Sequence, residues 1–295
     1  IGERIRASWD ADELSLYGRF DFILAKDGTP KILEFNADTP TSLLEASVIQ
    51  WQWKEDVFPE CDQFNGIHEG LVQSWKDIFP KKGEIHFAGA LENNEDTGTL
   101  QYLASTAMEA GFSTRVLDMQ ALDLQNGRFF DPAGELVNRC FKLYPWEWMV
   151  DESPDGCLAE MEWLEPIWKL VMSNKAILAT LYELFPDSPY VLPCYLSRPR
   201  SGLFCKKPIF SREGHNVSVV DIRDWEEYVR IAETEGDYNT GAYVYQEYVE
   251  PTAYSGRYPV IGSWIIGGEA AGIGIRENRM EVTDNLSEFV PHIIG

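Results

Sequence analysis

The segment from Tyr17 to Asn36 constrains this chain more than any other, because its charged residues alternate on both sides of a turn signal. The run Lys26-Asp27-Gly28-Thr29-Pro30 reads as a hairpin connection between two strands. Successive strand residues face opposite sides, so Arg19 and Asp21 share one face, and Glu34 and Asn36 share one face of the returning strand. A two-residue turn at Asp27-Gly28 would pair Lys26 with Thr29. That register sets Asp21 opposite Glu34 and Arg19 opposite Asn36. Such neighbours lie about 5 Å apart, where like charges repel. Two facing carboxylates with an amide oxygen form a hard-oxygen set suited to Mg²⁺. A polar outer face on which Arg19 pairs with an acid explains the same spacing. On the metal reading, one acid of the empty site takes up a proton more readily than an isolated carboxyl. Glu34→Gln is then expected to keep or slightly raise the stability of the metal-free protein.

The flanking segments carry further candidates. Asn36 to Ser42 is a loop dense in hydroxyls that caps the next helix or, through Thr39 and Thr41, holds a substrate carboxylate. Lys175 follows the capping pair Ser173-Asn174, and Lys207 ends a strand beside Pro208; by default both are ordinary surface lysines. The turn Ser211 to Asn216, with Arg212 and Gly214, can cover phosphates with backbone amides, although it has no Walker spacing. Tyr245-Gln246-Glu247-Tyr248 is either a strand presenting its backbone to an adenine edge or one packed by aromatics. Arg276 closes Gly272-Ile273-Gly274-Ile275-Arg276, a glycine-thinned strand that a ligand can approach closely.

Around these segments the pattern is α+β. Leu43 to Phe79 reads as helical with a break near Pro59 to Asp62, Glu84 to Leu91 as a strand, Thr97 to Ala110 as a helix and Thr114 to Leu117 as a strand. Trp163 to Leu184 reads as helical, interrupted at Met172-Ser173-Asn174. Beyond Pro186 come strands over 204–210, 217–221, 242–249, 260–266 and 271–276, with Gly267-Gly268 as a primed hairpin turn. The expected division is a hairpin and helical segment over 1–80, an α/β lobe over 81–160 and a sheet-rich nucleotide-binding lobe over 161–295. The 295 residues are 44% hydrophobic and 13% aromatic, enough for a sizeable core. No apolar run is long enough to span a membrane as a helix, and the first ten residues carry mixed charges unlike a secretion signal. Five scattered cysteines fit reduced thiols in a cytoplasm better than a disulfide framework. The formal charge of −23 speaks against nucleic acid as a partner and favours a cationic one by steering, though solubility alone accounts for it.

Five of these segments occur in an order that resembles one family. They are Gly18-Arg19-Phe20-Asp21-Phe22, Leu33-Glu34-Phe35-Asn36-Ala37-Asp38, Ser173-Asn174-Lys175-Ala176-Ile177-Leu178, Lys207-Pro208-Ile209-Phe210-Ser211-Arg212-Glu213-Gly214 and Ala271-Gly272-Ile273-Gly274-Ile275-Arg276. Over nearly the whole chain they are similar to the synthetase part of the glutathionylspermidine and trypanothione synthetases, and most to the shorter bacterial acid–amine ligases of that family. The resemblance implies an ATP-grasp-like fold and an ADP-forming carbon–nitrogen ligase that joins a small-molecule or peptide carboxylate to an amine such as a polyamine. It implies Mg²⁺ on Asp21, Glu34 and Asn36, ATP phosphates on Lys175 and Lys207, and adenine near Gln246 and Glu247. Arg19 and Arg276 would stabilise the transferring phosphoryl group, and Glu95 and Asp96 would serve the amine. Two departures fall in the donor region and set glutathione in question: Thr39-Pro40-Thr41 replaces Ser-Ala-Ser, and Leu143 replaces a threonine. Without an amidase part before it, the expected activity is ligation alone. The alternatives are a non-catalytic nucleotide- or polyamine-binding protein of the same fold and a phosphotransferase with the same grasp on ATP.

Overall fold

A computed structural model describes residues 1–212, 214–224, 228–236, 241–279 and 287–295. Its centre is a five-stranded antiparallel sheet in the order Glu288–Val290, Glu269–Asn278, Tyr258–Ile266, Tyr17–Leu24, Pro30–Asn36. The sheet joins the first hairpin to the last strands of the chain, so the expected 1–80 and 161–295 segments share one structure. Gly267 and Gly268 both take positive φ (58° and 90°), as a primed hairpin turn requires.

The register of the first hairpin agrees with the sequence at the site and differs at the turn. Arg19 faces Asn36 and Asp21 faces Glu34 as expected, but Phe22 faces Ile32 and Leu24 faces Pro30. The connection is the three residues Lys26 to Gly28, closed by the Ala25 amide donating to the Thr29 carbonyl at 3.0 Å, with Gly28 at φ 82°. A bulge at Leu33 absorbs the extra residue and restores the register before Glu34.

One side of this sheet packs on helix Ile67–Ile78 and, beyond it, on a parallel sheet in the order Ser113–Asp118, Glu84–Gly89, Arg139–Leu143, Glu162–Leu164. Glu84–Gly89 is buried at every position after the first, as a strand covered on both faces must be. Helix Asn94–Glu109 packs against it, and its N-cap Asn93 accepts the Glu95 amide at 2.9 Å. Tyr17 bridges the layers, with its ring 5.7 Å from Phe141 and 6.1 Å from Trp264. Trp163, expected in a helix, stands in a parallel strand opposite Cys140. A three-residue strand has no periodicity to set it apart from the helical residues that follow.

The second antiparallel sheet runs Cys194–Tyr195, Tyr243–Glu247, Gly202–Pro208, Ser218–Ile222, Tyr228–Glu233. Helix Ile177–Leu184 covers it through Leu178 and Ala179, which pack with Cys194 and Val244. No helix among the described residues is long and apolar enough to cross a membrane.

Candidate active site

The hairpin and the second antiparallel sheet enclose a cavity of about 680 Å³. It is lined by Arg19, Asp21, Glu34, Asn36 and Arg276 from the central sheet, and by Lys207, Gln246 and Glu247 from the second. Lys175, Thr39, Thr41, Arg212, Gly214 and Glu95 complete it; Asp96, on the same helical turn as Glu95, does not line it. Glu213 lies outside the described residues. Residues from positions 19 to 276 thus meet in one space, although only the hairpin register was legible as geometry.

The charges on the cavity floor are arranged as two clusters. Asp21 is buried between two guanidinium groups. Arg19 grips it with Nε at 2.6 Å and Nη2 at 2.9 Å, while Arg276 Nη2 donates from the other side at 2.8 Å. Arg19 also donates to the Thr41 carbonyl, tying the hairpin to the hydroxyl loop. The proximity of Arg19 and burial push the Arg276 guanidinium down from its ordinary range. Glu34 Oε2 lies 3.0 Å from Lys175 Nζ. Burial would raise the Glu34 carboxyl, but Lys175, Lys207 and the Asn36 amide together bring it down to about 2.

This corrects one expectation. The two facing acids do not repel unrelieved in the metal-free protein, because Arg19 from the same strand and Lys175, Lys207 and Arg276 from distant parts of the chain surround them. Glu34 holds its proton less readily, not more.

The donor set nevertheless fits a hard divalent cation. Asn36 Nδ2 donates to Glu34 Oε1 at 3.2 Å and to Asp21 Oδ2 at 3.3 Å, so both carboxylates converge on the Asn36 amide. Rotation of that amide turns its oxygen toward the same point, giving two carboxylates and one amide oxygen.

The two lysines differ from surface residues. Lys207 is 6% exposed, and its Nζ donates to Gln246 Oε1 at 2.7 Å and to the Leu33 carbonyl at 3.0 Å. Burial pushes its ammonium down, with Cys205 and Glu34 restoring part of the loss. Lys175 donates to the Ser211 carbonyl as well as meeting Glu34, so it ties the hairpin to the turn that follows Lys207. Arg212, expected over phosphates, donates through Nε at 3.1 Å and Nη2 at 2.5 Å to Glu147 Oε1, and through Nη1 to Thr39 Oγ1 at 2.5 Å.

Sequence reasoning missed what holds the hydroxyl loop. Asp38 is buried; its Oδ1 accepts from Lys142 Nζ at 2.7 Å and its Oδ2 from the Trp146 amide at 2.8 Å. Lys142 is itself fully buried, between Asp38 and the Tyr144 carbonyl. A second buried pair, Glu165 and Lys169, binds the backbone of Leu16, Tyr17 and Ala37. Nothing local marks these lysines as interior: Lys142 is paired with the distant Asp38, and Lys169, although four residues from Glu165, is held by the distant Tyr17 and Ala37 carbonyls.

The fold is of the ATP-grasp-like class. Two solved structures share the architecture. A protein from Methylobacillus flagellatus, provisionally a gamma-glutamylcysteine synthetase, superposes with a TM-score of 0.65 at 10% identity, covering 99% of this chain and 83% of its own. A glutathione synthetase-like effector from Globodera pallida gives 0.60 at 11% identity, covering 99% and 84%. At such identities the likeness concerns the fold.

The family itself follows from sequence: the model for glutathionylspermidine synthase preATP-grasp matches residues 1–295, and the chain belongs to that family. A Haemophilus influenzae protein with the provisional designation acid–amine ligase is 39% identical over 98% of this chain and 77% of its own length. Trypanothione synthetase of Crithidia fasciculata is 28% identical and the bifunctional glutathionylspermidine synthetase/amidase of Escherichia coli 27%. The chain spans 48% and 51% of those two, about half their length. These relatives are synthetases and ligases by name, and the expected class, an ATP-dependent carbon–nitrogen ligase, agrees with them.

Proposed function

We propose that the protein joins a carboxylic acid to an amine at the expense of ATP, through an acyl phosphate, releasing ADP and orthophosphate. The observation that carries this reading is the meeting of Arg19, Arg276, Lys175 and Lys207 around the facing pair Asp21 and Glu34 in one cavity. Four cations over two carboxylates leave an excess of positive charge where nucleotide phosphates would lie.

In this reading Lys175 and Lys207 bind the phosphates, Lys175 exchanging Glu34 for them. Gln246 and Glu247 line the side toward the base. Mg²⁺ held by Asp21, Glu34 and Asn36 would neutralise charge on the phosphate oxygens. Thr39 and Thr41 orient the acid, whose carboxylate oxygen bonds to the γ-phosphorus as the bond to the β-phosphate oxygen breaks. Arg19 and Arg276 stabilise the charge on the phosphoryl oxygens during that transfer. The acyl phosphate reacts with water, so the turn bearing Arg212 and Gly214 has to exclude solvent. The amine nitrogen then attacks the acyl carbon, phosphate leaves, and the surplus proton passes to Glu95, the one of the two expected acids that lines the cavity. Peptide acids and polyamines are the substrate classes that the relatives' names and the acidic surface support. Five free cysteines, three of them buried, fit a cytoplasmic setting.

The test is product analysis of the purified protein with ATP, Mg²⁺ and a panel of peptides and polyamines. ADP and orthophosphate should accumulate with an amide product only when both an acid and an amine are present. AMP and pyrophosphate as main products would place the protein in an adenylating class, and ADP without amide would favour a phosphotransferase.

A further inference from the structure

We propose that Gln246 is a positioning residue that aims Lys207 at the nucleotide phosphates and reads no part of the base, an inference that rests on the nucleotide-binding role of the cavity. Gln246 is 2% exposed, and both ends of its amide are occupied. Nε2 donates to the Ile32 carbonyl at 2.8 Å, and Oε1 accepts from Lys207 Nζ at 2.7 Å. Turning the amide toward a base would forfeit both bonds and leave two buried polar groups unsatisfied.

The bulge in the first hairpin makes this arrangement possible. With Leu33 as the extra residue, the consecutive carbonyls of Ile32 and Leu33 both serve the second sheet, one taking Gln246 and the other Lys207. An ammonium has three donors. Two are fixed by Leu33 and Gln246, which determines the direction of the third and leaves it for a ligand. Both fixing groups are neutral, so the charge of Lys207 is held in place without a carboxylate in contact. Lys175 differs, because its charge meets Glu34 at 3.0 Å. Gln246 therefore gives the site a lysine already oriented, with its charge available to a phosphate.

The experiment compares ATP and GTP binding by calorimetry in wild type, Gln246→Met, Lys207→Met and the double variant. Gln246→Met should weaken both nucleotides about ten-fold or more, the loss of one hydrogen bond to a charged group, with the ATP to GTP ratio unchanged. In the Lys207→Met background it should change affinity little, because its partner is already gone. A collapse of the ATP to GTP ratio, unchanged affinity in the single variant, or a further ten-fold loss in the double variant would each overturn the inference. Wild-type protein that binds neither nucleotide would instead overturn the underlying assignment. If Gln246→Met does not fold, Gln246→Asn, which is polar but too short to span both partners, carries the same comparison.

Discussion

Glu34 stands between two opposing charges, the facing Asp21 carboxylate and the Lys175 ammonium. Spacing alone places it against Asp21 and predicts that removing its charge relieves repulsion. In the folded protein it instead meets Lys175 at 3.0 Å and its carboxyl falls to about 2. A carboxyl lowered on folding contributes stability above its unfolded value near 4.5, and that contribution is lost as pH falls through about 2. Glu34→Gln should therefore cost the metal-free protein about 1–3 kcal/mol at neutral pH, since it also leaves Lys175 without its partner. Urea midpoints at pH 7 and at acid pH check this: the gap between variant and wild type should narrow toward pH 2. An equal or higher midpoint for the variant at pH 7 would show that repulsion dominates after all. The sequence could place Glu34 because strand register is local. It could not supply the charge balance, because Lys175 and Lys207 lie more than a hundred residues away.

The same distinction holds for elements. The first hairpin was legible because alternation and an Asp-Gly turn signal act over a few residues, yet the turn is three residues long and a bulge at Leu33 compensates for it. The glycine-thinned strand that bears Arg276 was legible as well. Its neighbour was legible as a strand, but the role of its glycine was not: Gly262 lies opposite both Asp21 and Gly274, and a Cβ there would meet Arg19 Cδ at 2.7 Å. The missing side chain is the space in which Arg19 lies. Gly262→Ala should push Arg19 away from Asp21, lowering turnover at least about ten-fold by weakening transition-state contacts. Its cost in stability should stay near 1–3 kcal/mol, as for other overpacking changes. Turnover beside a thermal melt separates the two effects, and wild-type turnover in a folded variant would show that Arg19 can shift without consequence. Strands as short as Glu162–Leu164, by contrast, owe their existence to neighbours in the sheet, and sequence pattern could not distinguish this one from a helix.

At the scale of the whole molecule, the charge is split between surface and cavity. There are 48 acidic residues against 25 basic ones, yet five of the basic residues, Arg19, Lys175, Lys207, Arg212 and Arg276, line a single cavity. Composition made the net charge legible, but nothing local in the chain marks so many cations for withdrawal from a surface already short of them. The consequence is a far field that attracts a cationic amine and repels a nucleotide, while in the cavity the five cations are matched by five acids, Asp21, Glu34, Glu45, Glu95 and Glu247, so that its cations act on a nucleotide at contact range. Salt screens the first more than the second, because the screening length is about 10 Å at 0.1 M while contacts inside the cavity are partly shielded from ions. Raising ionic strength from about 0.05 to 0.5 M should therefore raise KM for a polyamine several-fold, through slower encounter. KM for ATP should hardly change or fall, since screening removes the long-range repulsion and spares the direct contacts. A monoamine of the same reactivity should show a smaller salt effect than a polyamine, because steering grows with ligand charge. Initial rates across a salt series, with each substrate varied in turn, measure all three. If KM for both substrates rose in parallel, the surface charge would serve solubility alone, and the amine would reach the cavity without guidance from it.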